Sequence, residues 1–402
     1  MNKKTALPEL LAPAGSLEAL RAALYFGADA VYVGGPMLQL RAGAAGFTFE
    51  ELETAAALAH AAGKRLYVTV NCFATNEEIA ALGGYARRLK EIGADAAIVS
   101  DIGAVAEIRA RCPELEIHVS TQANTVNYRS VGVWASLGAK RVVLGREMTL
   151  AEIEALPGRI PEGVEIEVFV HGAMCMAYSG RCLLSSFLTG RSGNRGECAQ
   201  PCRWNYYLME EKRRNMFIPV VEDAGSSAIL SSADLNCLPF LDRLTAAGVS
   251  SFKIEGRMKS PYYVATVVNA YRQYMDGKAP LAACLGELDC ASHRPYTSGF
   301  YFGEAKLTPN NDGLYRRTCD FTGVVLEQTG RDEYLVEMRN RFAVGDTLEI
   351  LSPRSMGSAF RVASIVGENG EAKNEAVLVQ EKVRVGCELP LAPGDMLRKR
   401  LQ

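Results

Sequence analysis

A weak internal repeat constrains this chain more than any other feature. An amphipathic stretch ends in a small-residue stop, and a short apolar run follows. Gly27-Ala-Asp-Ala-Val31, Gly93-Ala-Asp-Ala-Ala97, Gly138-Ala-Lys-Arg-Val142 and Gly248-Val-Ser-Ser-Phe252 are four copies of the junction, and Gly63-Lys-Arg-Leu-Tyr67 is a looser fifth. Glycine just past a helix adopts the left-handed conformation at little cost, and the apolar run after it reads as a buried parallel strand. Steps of 36, 30 and 45 residues from Gly27 through Gly63 and Gly93 to Gly138 suit βα units. Thr48-x-x-Glu51, Thr75-x-x-Glu78 and Thr149-x-x-Glu152 have the form of capping boxes, and Ser260-Pro261 places a cap before a proline at the first helical position. Eight strands are expected: Leu10–Ala12, Ala30–Val33, Leu66–Val70, Ala96–Val99, Ile117–Ser120, Arg141–Leu144, Ile166–Val170 and Phe252–Ile254. Eight such strands with helices between them predict an α/β fold of the (β/α)8 barrel type. A doubly wound sheet is the rival, but no G-x-G-x-x-G follows the first strand.

The interval before the last strand is too long for a simple crossover. Residues 172–232 read as an insertion at the barrel mouth, with a hairpin of Trp204–Leu208 and Phe217–Val221. Asp234–Ala247 reads as the seventh helix. The domain reading is a barrel over 1–276, a connector over 277–318 rich in Gly, Pro and Asn, and a small all-β domain over 319–402. Strands there are expected at Thr322–Leu326, Tyr334–Met338, Thr347–Leu351, Phe360–Val366 and Ala376–Gln380. That domain carries 11 basic and 13 acidic side chains, so charge does not mark it as an RNA binder. The formal net charge of −2 argues against whole-chain attraction to DNA, RNA or membrane. Met1 to Thr5 lacks an apolar h-region, and no run approaches membrane-spanning length, so a soluble cytoplasmic protein is expected.

Four of the eleven cysteines fall between His171 and Cys202, and Cys237 follows. Without a secretory signal, clustered thiols point to metal or catalysis rather than to a disulfide framework. Cys175, Cys182, Cys198, Cys202 and Cys237 sit among Gly, Ser and Arg. Cys72, Cys112, Cys284, Cys290, Cys319 and Cys387 read as buried free thiols. Four thiolates suit an iron–sulfur cluster or zinc, so five candidates leave one spare. Polar residues follow the apolar strands at Asn71, Asp101, Ser120–Asn124, Arg146-Glu147, His171 and Glu255-Gly-Arg257. In a barrel these face the active site, although any one of them can equally be a loop cap. Arg146 and Arg257 suit bidentate capture of carboxylate or phosphate. His171 is a general acid–base, a supporting donor or a turn residue. From Arg181 to Arg214 there are seven basic against three acidic residues, with Trp204, Tyr206 and Tyr207 interleaved. That composition suits RNA or a solvated hairpin. There is no His-Glu-x-x-His, Walker loop or Gly-x-Ser-x-Gly elbow.

Glu9-Leu-Leu-Ala-Pro-Ala-Gly15, Gly27–Tyr32, Ser120-Thr-Gln122, the His171–Cys182 stretch and Lys253-Ile-Glu-Gly-Arg257 together resemble the collagenase-like (U-thirty-two) peptidase family, over nearly the whole chain. The family is named for reported peptidase activity. Its bacterial members include oxygen-independent, prephenate-dependent hydroxylation proteins. One branch makes 5-hydroxyuridine at the tRNA wobble position, one modifies a cytidine of 23S ribosomal RNA, and one serves ubiquinone synthesis. Length and the C-terminal module look most like the tRNA branch. The resemblance implies a [4Fe-4S] cluster, mapped from the ubiquinone branch onto Cys175, Cys182, Cys198 and Cys237, with the third shifted by one residue. A sister subunit of that branch uses a pair spaced like Cys198 and Cys202, which keeps Cys202 as an alternative ligand and a paralogous protein as a conceivable partner.

These readings converge on an RNA hydroxylase that acts on a wobble uridine, with prephenate as the co-substrate implied by the resemblance and the tRNA anticodon arm as partner. Candidate catalytic groups are His171, Tyr178, Glu255 and Arg257. Candidate substrate contacts are Gln122, Asn124, Arg146, Arg181 and Lys253. Two rivals stand beside it. One is a peptidase using Cys175 near His171. The other is a non-catalytic RNA-binding protein with a structural cluster or zinc.

Overall fold

The structure, a computed structural model, describes residues 7–40, 46–174, 181–204, 207–209, 217–219, 233–303 and 315–401. Its first compact unit spans residues 1–24, 28–259 and 294–315. Eight parallel strands form it: β1 (Glu9–Pro13), β2 (Ala30–Gly34), β3 (Arg65–Val70), β4 (Ala96–Val99), β5 (Glu116–Val119), β6 (Arg141–Val143), β7 (Glu165–Ala173) and β8 (Ser251–Ile254). They pair in order, and Phe252 of β8 stands opposite both Leu10 of β1 and Val168 of β7, so the barrel closes. All eight expected strands are present.

The helices start where the sequence placed their caps. Thr48, Thr75 and Thr149 each make a full capping box with the glutamate three residues on. Each such box satisfies two backbone donors that the first turn leaves without an intrahelical partner. Gly27, Gly93, Gly138 and Gly248 take φ of 99°, 99°, 91° and 78°, the left-handed geometry that turns the chain out of a helix toward the next strand. Apolar residues Leu11, Tyr32, Tyr67, Ala96 and Ile98 pack together among the barrel strands.

In the barrel unit the expected seventh helix differs. Asp234–Ala247 is not one helix. Asp234–Asn236 is a strand antiparallel to the end of β7, followed by a 3-10 turn at Leu238–Phe240 and a helix at Leu241–Ala246. Pro239 supplies no backbone N–H. The Asp234 carboxylate is also committed elsewhere, accepting from the Arg294 side chain at 2.7 and 3.1 Å and from its backbone N–H at 3.1 Å. In the insertion, Tyr207–Met209 and Phe217–Pro219 pair antiparallel, overlapping the expected hairpin strands.

The second unit comprises residues 25–27, 260–293 and 316–402. Helix Pro261–Met275, capped by Ser260, and helix Leu281–Leu288 precede an eight-stranded antiparallel sheet. Its core gathers Val325, Tyr334, Val336, Phe342, Leu348, Ile350, Val383, Val385 and Leu397. The expected strand Phe360–Val366 is divided. Ala359–Arg361 pairs with Thr347–Leu351, whereas Ile365–Gly367 pairs with Lys382–Gly386. Ala376–Gln380 does not form a strand beyond Glu375–Ala376. Glu381 takes the N–H groups of Val377 and Leu378, and Gln380 turns to φ 60°. Lys382–Gly386 is a strand that alternating charge hides from an apolar reading, and Met396–Arg400 completes the sheet. Among the described residues no helix is long and apolar enough to cross a membrane.

Candidate functional site

The C-terminal ends of the barrel strands surround one cavity. Its lining includes Thr69, Asn71, Ser120, Gln122, Arg146, Phe169, Lys253, Glu255 and Arg257 from the barrel, with Cys182, Ser185, Asn194 and Cys198 from the insertion. Seven candidates from the sequence therefore meet at one place: Gln122, Arg146, Cys182, Cys198, Lys253, Glu255 and Arg257.

Each cation there is already engaged. Arg257, 5% exposed, donates to Thr69 Oγ1 at 3.1 Å, Gln39 Oε1 at 2.7 Å and the Leu40 carbonyl at 2.5 Å. A Cβ on Gly34 would stand 2.5 Å from Arg257 Nη1, so that glycine makes room for the guanidinium. Arg146 donates to the Ala173 carbonyl at 2.7 Å, lies over the Phe169 ring at 3.9 Å, and meets Glu255 more loosely at 3.6 Å. Lys253 donates to Glu167 at 2.8 Å and sits 4.5 Å from the centre of the Tyr32 ring. Arg257 is thus a fixed strut of the mouth, whereas the Arg146–Glu255 contact, at 3.6 Å, is longer than an ordinary charge-assisted hydrogen bond.

His171, Asn124 and Arg181 are not in that lining. His171 is on β7, 1% exposed, its ring packed 5.4 Å from that of Tyr296. Asn124 caps a 3-10 turn in the left-handed conformation. Arg181 is exposed at the start of the described part of the insertion. Cys175 and Tyr178 lie outside the described residues.

Beneath the mouth is an ionic network that the sequence reading missed. Glu167, fully buried, is held by Lys253 at 2.8 Å and by Arg141 at 3.1 Å. Arg141 also pairs with Glu9 at 2.6 Å and Glu165 at 2.7 Å, and Tyr67 donates to Glu9 at 2.6 Å. Burial works to raise the Glu167 pKa, but Lys253 and Arg141 outweigh it and hold the carboxyl below its ordinary range. Burial keeps the His118 pKa down, so that ring is neutral. The missed signal was the alternation Glu165-Ile-Glu167 and the charges inside otherwise apolar strands at Arg141 and Lys253.

The thiols separate into two settings. Cys182 and Cys198 open on the cavity, and Cys198 Sγ accepts the Gln200 N–H at 3.4 Å. Cys202 is half-buried in the following 3-10 turn, Pro201–Arg203. Cys237 is buried in the barrel wall, its Sγ 3.9 Å from the Phe169 carbonyl, and burial pushes its thiol well above the usual range. Soft-metal ligands must be thiolates. Cys182 and Cys198 offer sulfur to a cluster or soft-metal site at the mouth, and a bound metal deprotonates a coordinating thiol, so Cys202 and Cys237 both stay candidates for a further ligand. Among the described residues, no trio of metal-ligating side chains within 4.8 Å of one another includes any of these four. The six cysteines read as inert from sequence are all buried.

Arg195 ties the insertion to the barrel. It donates to the Phe73 carbonyl at 2.7 Å and to Glu78 at 2.9 Å, and its hydrogen bonds hold the Glu78 carboxyl at about 2. Near it Leu183, Phe187 and Trp204 are exposed, Phe187 at 86%.

A closed parallel barrel that carries a cysteine-bearing insertion over a cationic mouth, with an antiparallel sheet in a second unit, defines the class. The chain belongs to Peptidase family U32: the model of that family matches residues 15–311, and that of the U32 C-terminal domain matches residues 317–398. It is 36% identical to the "tRNA hydroxylation protein P" of Escherichia coli, covering 96% of this chain and 92% of that one. It is also 36% identical to the "tRNA hydroxylation protein P1" of Bacillus subtilis, covering 98% and 95%. A "Collagenase" of Porphyromonas gingivalis is 34% identical, covering 74% of each chain.

Proposed function

We propose that this protein serves tRNA hydroxylation, converting a wobble uridine to 5-hydroxyuridine, with an iron–sulfur cluster and with prephenate as the oxygen-donating co-substrate. The observation that carries this reading is the likeness, along nearly the whole chain, to proteins named for tRNA hydroxylation. The convergence of Cys182, Cys198, Arg146 and Lys253 on one cavity agrees with it. Cys175, Cys182, Cys198 and Cys237 are the ligand set of this reading, with Cys202 as the alternative fourth ligand. A cluster bound there would supply one-electron chemistry or a Lewis-acidic iron.

The chain's own residues bind and orient. Arg146 exchanges its loose contact with Glu255 for a carboxylate of the co-substrate, a charge-assisted bond that gains strength away from water. Glu255, released from that contact, is placed to take or return a proton at the reacting base. Gln122 offers an amide to a base edge. Arg257 and Lys253, locked by their own partners, hold the wall of the mouth. The basic insertion docks the anticodon arm, and an unstacked base enters the cavity. With tRNA as substrate, the site of work is the cytoplasm.

The peptidase reading finds less support. The described lining of the cavity includes no histidine, and His171 is packed away from it.

The reading is tested by nucleoside mass spectrometry of tRNA from a deletion strain complemented with each variant. Loss of 5-hydroxyuridine derivatives, restored by wild type but not by Arg146→Ala, is expected. Unchanged nucleosides in a strain without overlapping enzymes refute it. Anaerobically purified protein should carry about four irons per cluster. Cys237→Ser should lose them and Cys202→Ser should keep them; the opposite result gives the fourth place to Cys202.

A further inference from the structure

The second unit holds a pair of thiols that the mouth does not use. Cys290 follows helix Leu281–Leu288, and Cys319 opens the strand Cys319–Gly330. Their sulfurs are 3.1 Å apart, and the two residues are 0% and 1% exposed. The backbone fixes this approach. Thr318 donates to the Asp289 carbonyl through its N–H at 2.9 Å and through Oγ1 at 3.1 Å. A few residues away, His293 and Arg316 exchange both backbone hydrogen bonds, at 3.0 and 2.8 Å. The two segments are therefore tied on either side of the pair.

The surroundings make the two thiols unequal. Cys319 donates to the Cys290 sulfur, and Thr318 Oγ1 donates to it at 3.6 Å. Arg400 Nη2 lies 3.9 Å away. The hydrogen bond from Cys319 foremost, with Arg398 in support and against the cost of burial, holds Cys290 below the ordinary thiol range. The same bond pushes Cys319 above it. One sulfur is prepared as a nucleophile and the other keeps its proton.

Glu349 completes a trio of ligating side chains within 4.8 Å, which raises a metal site as the alternative. Two facts oppose it. The Glu349 carboxylate accepts from Arg398 Nε at 3.0 Å and from Arg400 Nε at 2.6 Å, so two guanidinium cations hold the position a metal cation would occupy. Two thiolates on one tetrahedral zinc, at Zn–S of about 2.3 Å, sit about 3.8 Å apart. The observed separation is shorter than that and lies on the way to a disulfide.

We propose that Cys290 and Cys319 form an oxidation site at which hydrogen peroxide closes a disulfide between the end of helix Leu281–Leu288 and the first strand of the C-terminal sheet. The Cys290 thiolate attacks one peroxide oxygen and breaks the O–O bond. The departing hydroxide takes a proton and leaves as water, and Cys290 becomes a sulfenic acid. Cys319 then gives up its proton and attacks the Cys290 sulfur, displacing the hydroxyl as a second water. Two thiols are oxidised by two electrons in all, and one peroxide is reduced to two waters. Disulfides of this transient kind are the ones compatible with a reducing compartment. The site is independent of the chemistry at the barrel mouth.

The test uses the full chain, reduced, treated with hydrogen peroxide, alkylated and digested without reductant. The peptides carrying Cys290 and Cys319 should be recovered joined, two hydrogens lighter than their sum, and should separate on treatment with a dithiol. Cys319→Ser, whose hydroxyl can still donate to Cys290 but cannot close a disulfide, should leave Cys290 as a sulfenic acid that dimedone captures. Recovery of both peptides singly alkylated, at peroxide doses that oxidise Cys182, overturns the proposal. So does purified protein that retains zinc and thereby shields both thiols from alkylation. The wild-type digest alone decides the matter if a variant fails to fold.

Discussion

Replacing Lys253 with methionine tests whether the charged residues under the mouth hold the barrel together. Methionine keeps much of the lysine stem and removes the ammonium. Glu167 then loses a partner at 2.8 Å while remaining fully buried, and keeps Arg141 at 3.1 Å. Removing one member of a buried pair costs about 3–5 kcal/mol. Arg141 compensates in part, but it also serves Glu9 and Glu165. The lower end, about 3 kcal/mol, is therefore expected, or about 6–12 °C in Tm for a domain of this size. The pH dependence gives an independent check. In the wild type Glu167 has a depressed pKa, so its contribution is present above the unfolded value of about 4.3 and is lost as pH falls. In Lys253→Met burial is opposed by less charge, the pKa rises, and acid relieves the stranded carboxylate by protonating it. The stability gap between the two proteins should therefore narrow from pH 7 to about pH 4.5. Urea unfolding at both pH values measures it. A gap below about 1 kcal/mol at neutral pH, or one that does not change with acid, refutes the claim that this pair is structural.

Three further outcomes follow from the same geometry. Gly34→Ala puts a Cβ 2.0 Å from Gln39 Oε1 and 2.5 Å from Arg257 Nη1, and it should cost about 1–3 kcal/mol in a thermal melt by displacing the Arg257 clamp. His118 is kept neutral by burial, so the unfolded chain binds the extra proton and stability should fall as pH drops from about 7 to 5; His118→Phe, which keeps the edge contact with Tyr67, should flatten that slope in denaturation curves. Arg195→Ala breaks a half-exposed tie to Glu78 and should change global stability by less than about 1 kcal/mol, yet proteolysis between residues 181 and 204 should quicken; an unchanged digestion rate counts against Arg195 as the tether.

The sequence disclosed the barrel because its signals are local. Thr48, Thr75 and Thr149 announce helix starts within four residues, and Gly27, Gly93, Gly138 and Gly248 announce their ends. The residues at the strand ends were legible for the same reason, since barrel topology alone sends Gln122, Arg146, Glu255 and Arg257 to one rim. What failed depends on contacts distant in the chain. Asp234 reads as a helix opener until Arg294, sixty residues on, takes its carboxylate. Glu167 looks like a solvent-facing residue until Lys253 and Arg141 meet it inside.

The strand Asp234–Asn236 runs back along the end of β7, with Ala173 opposite Asp234 and His171 opposite Asn236. The chain thus departs from the barrel and returns to it at the same seam, and Arg294 fastens the returning end. A segment anchored in this way behaves as a cassette. Relatives could trade the whole stretch for another, and the eight-stranded frame would be left with its pairing intact.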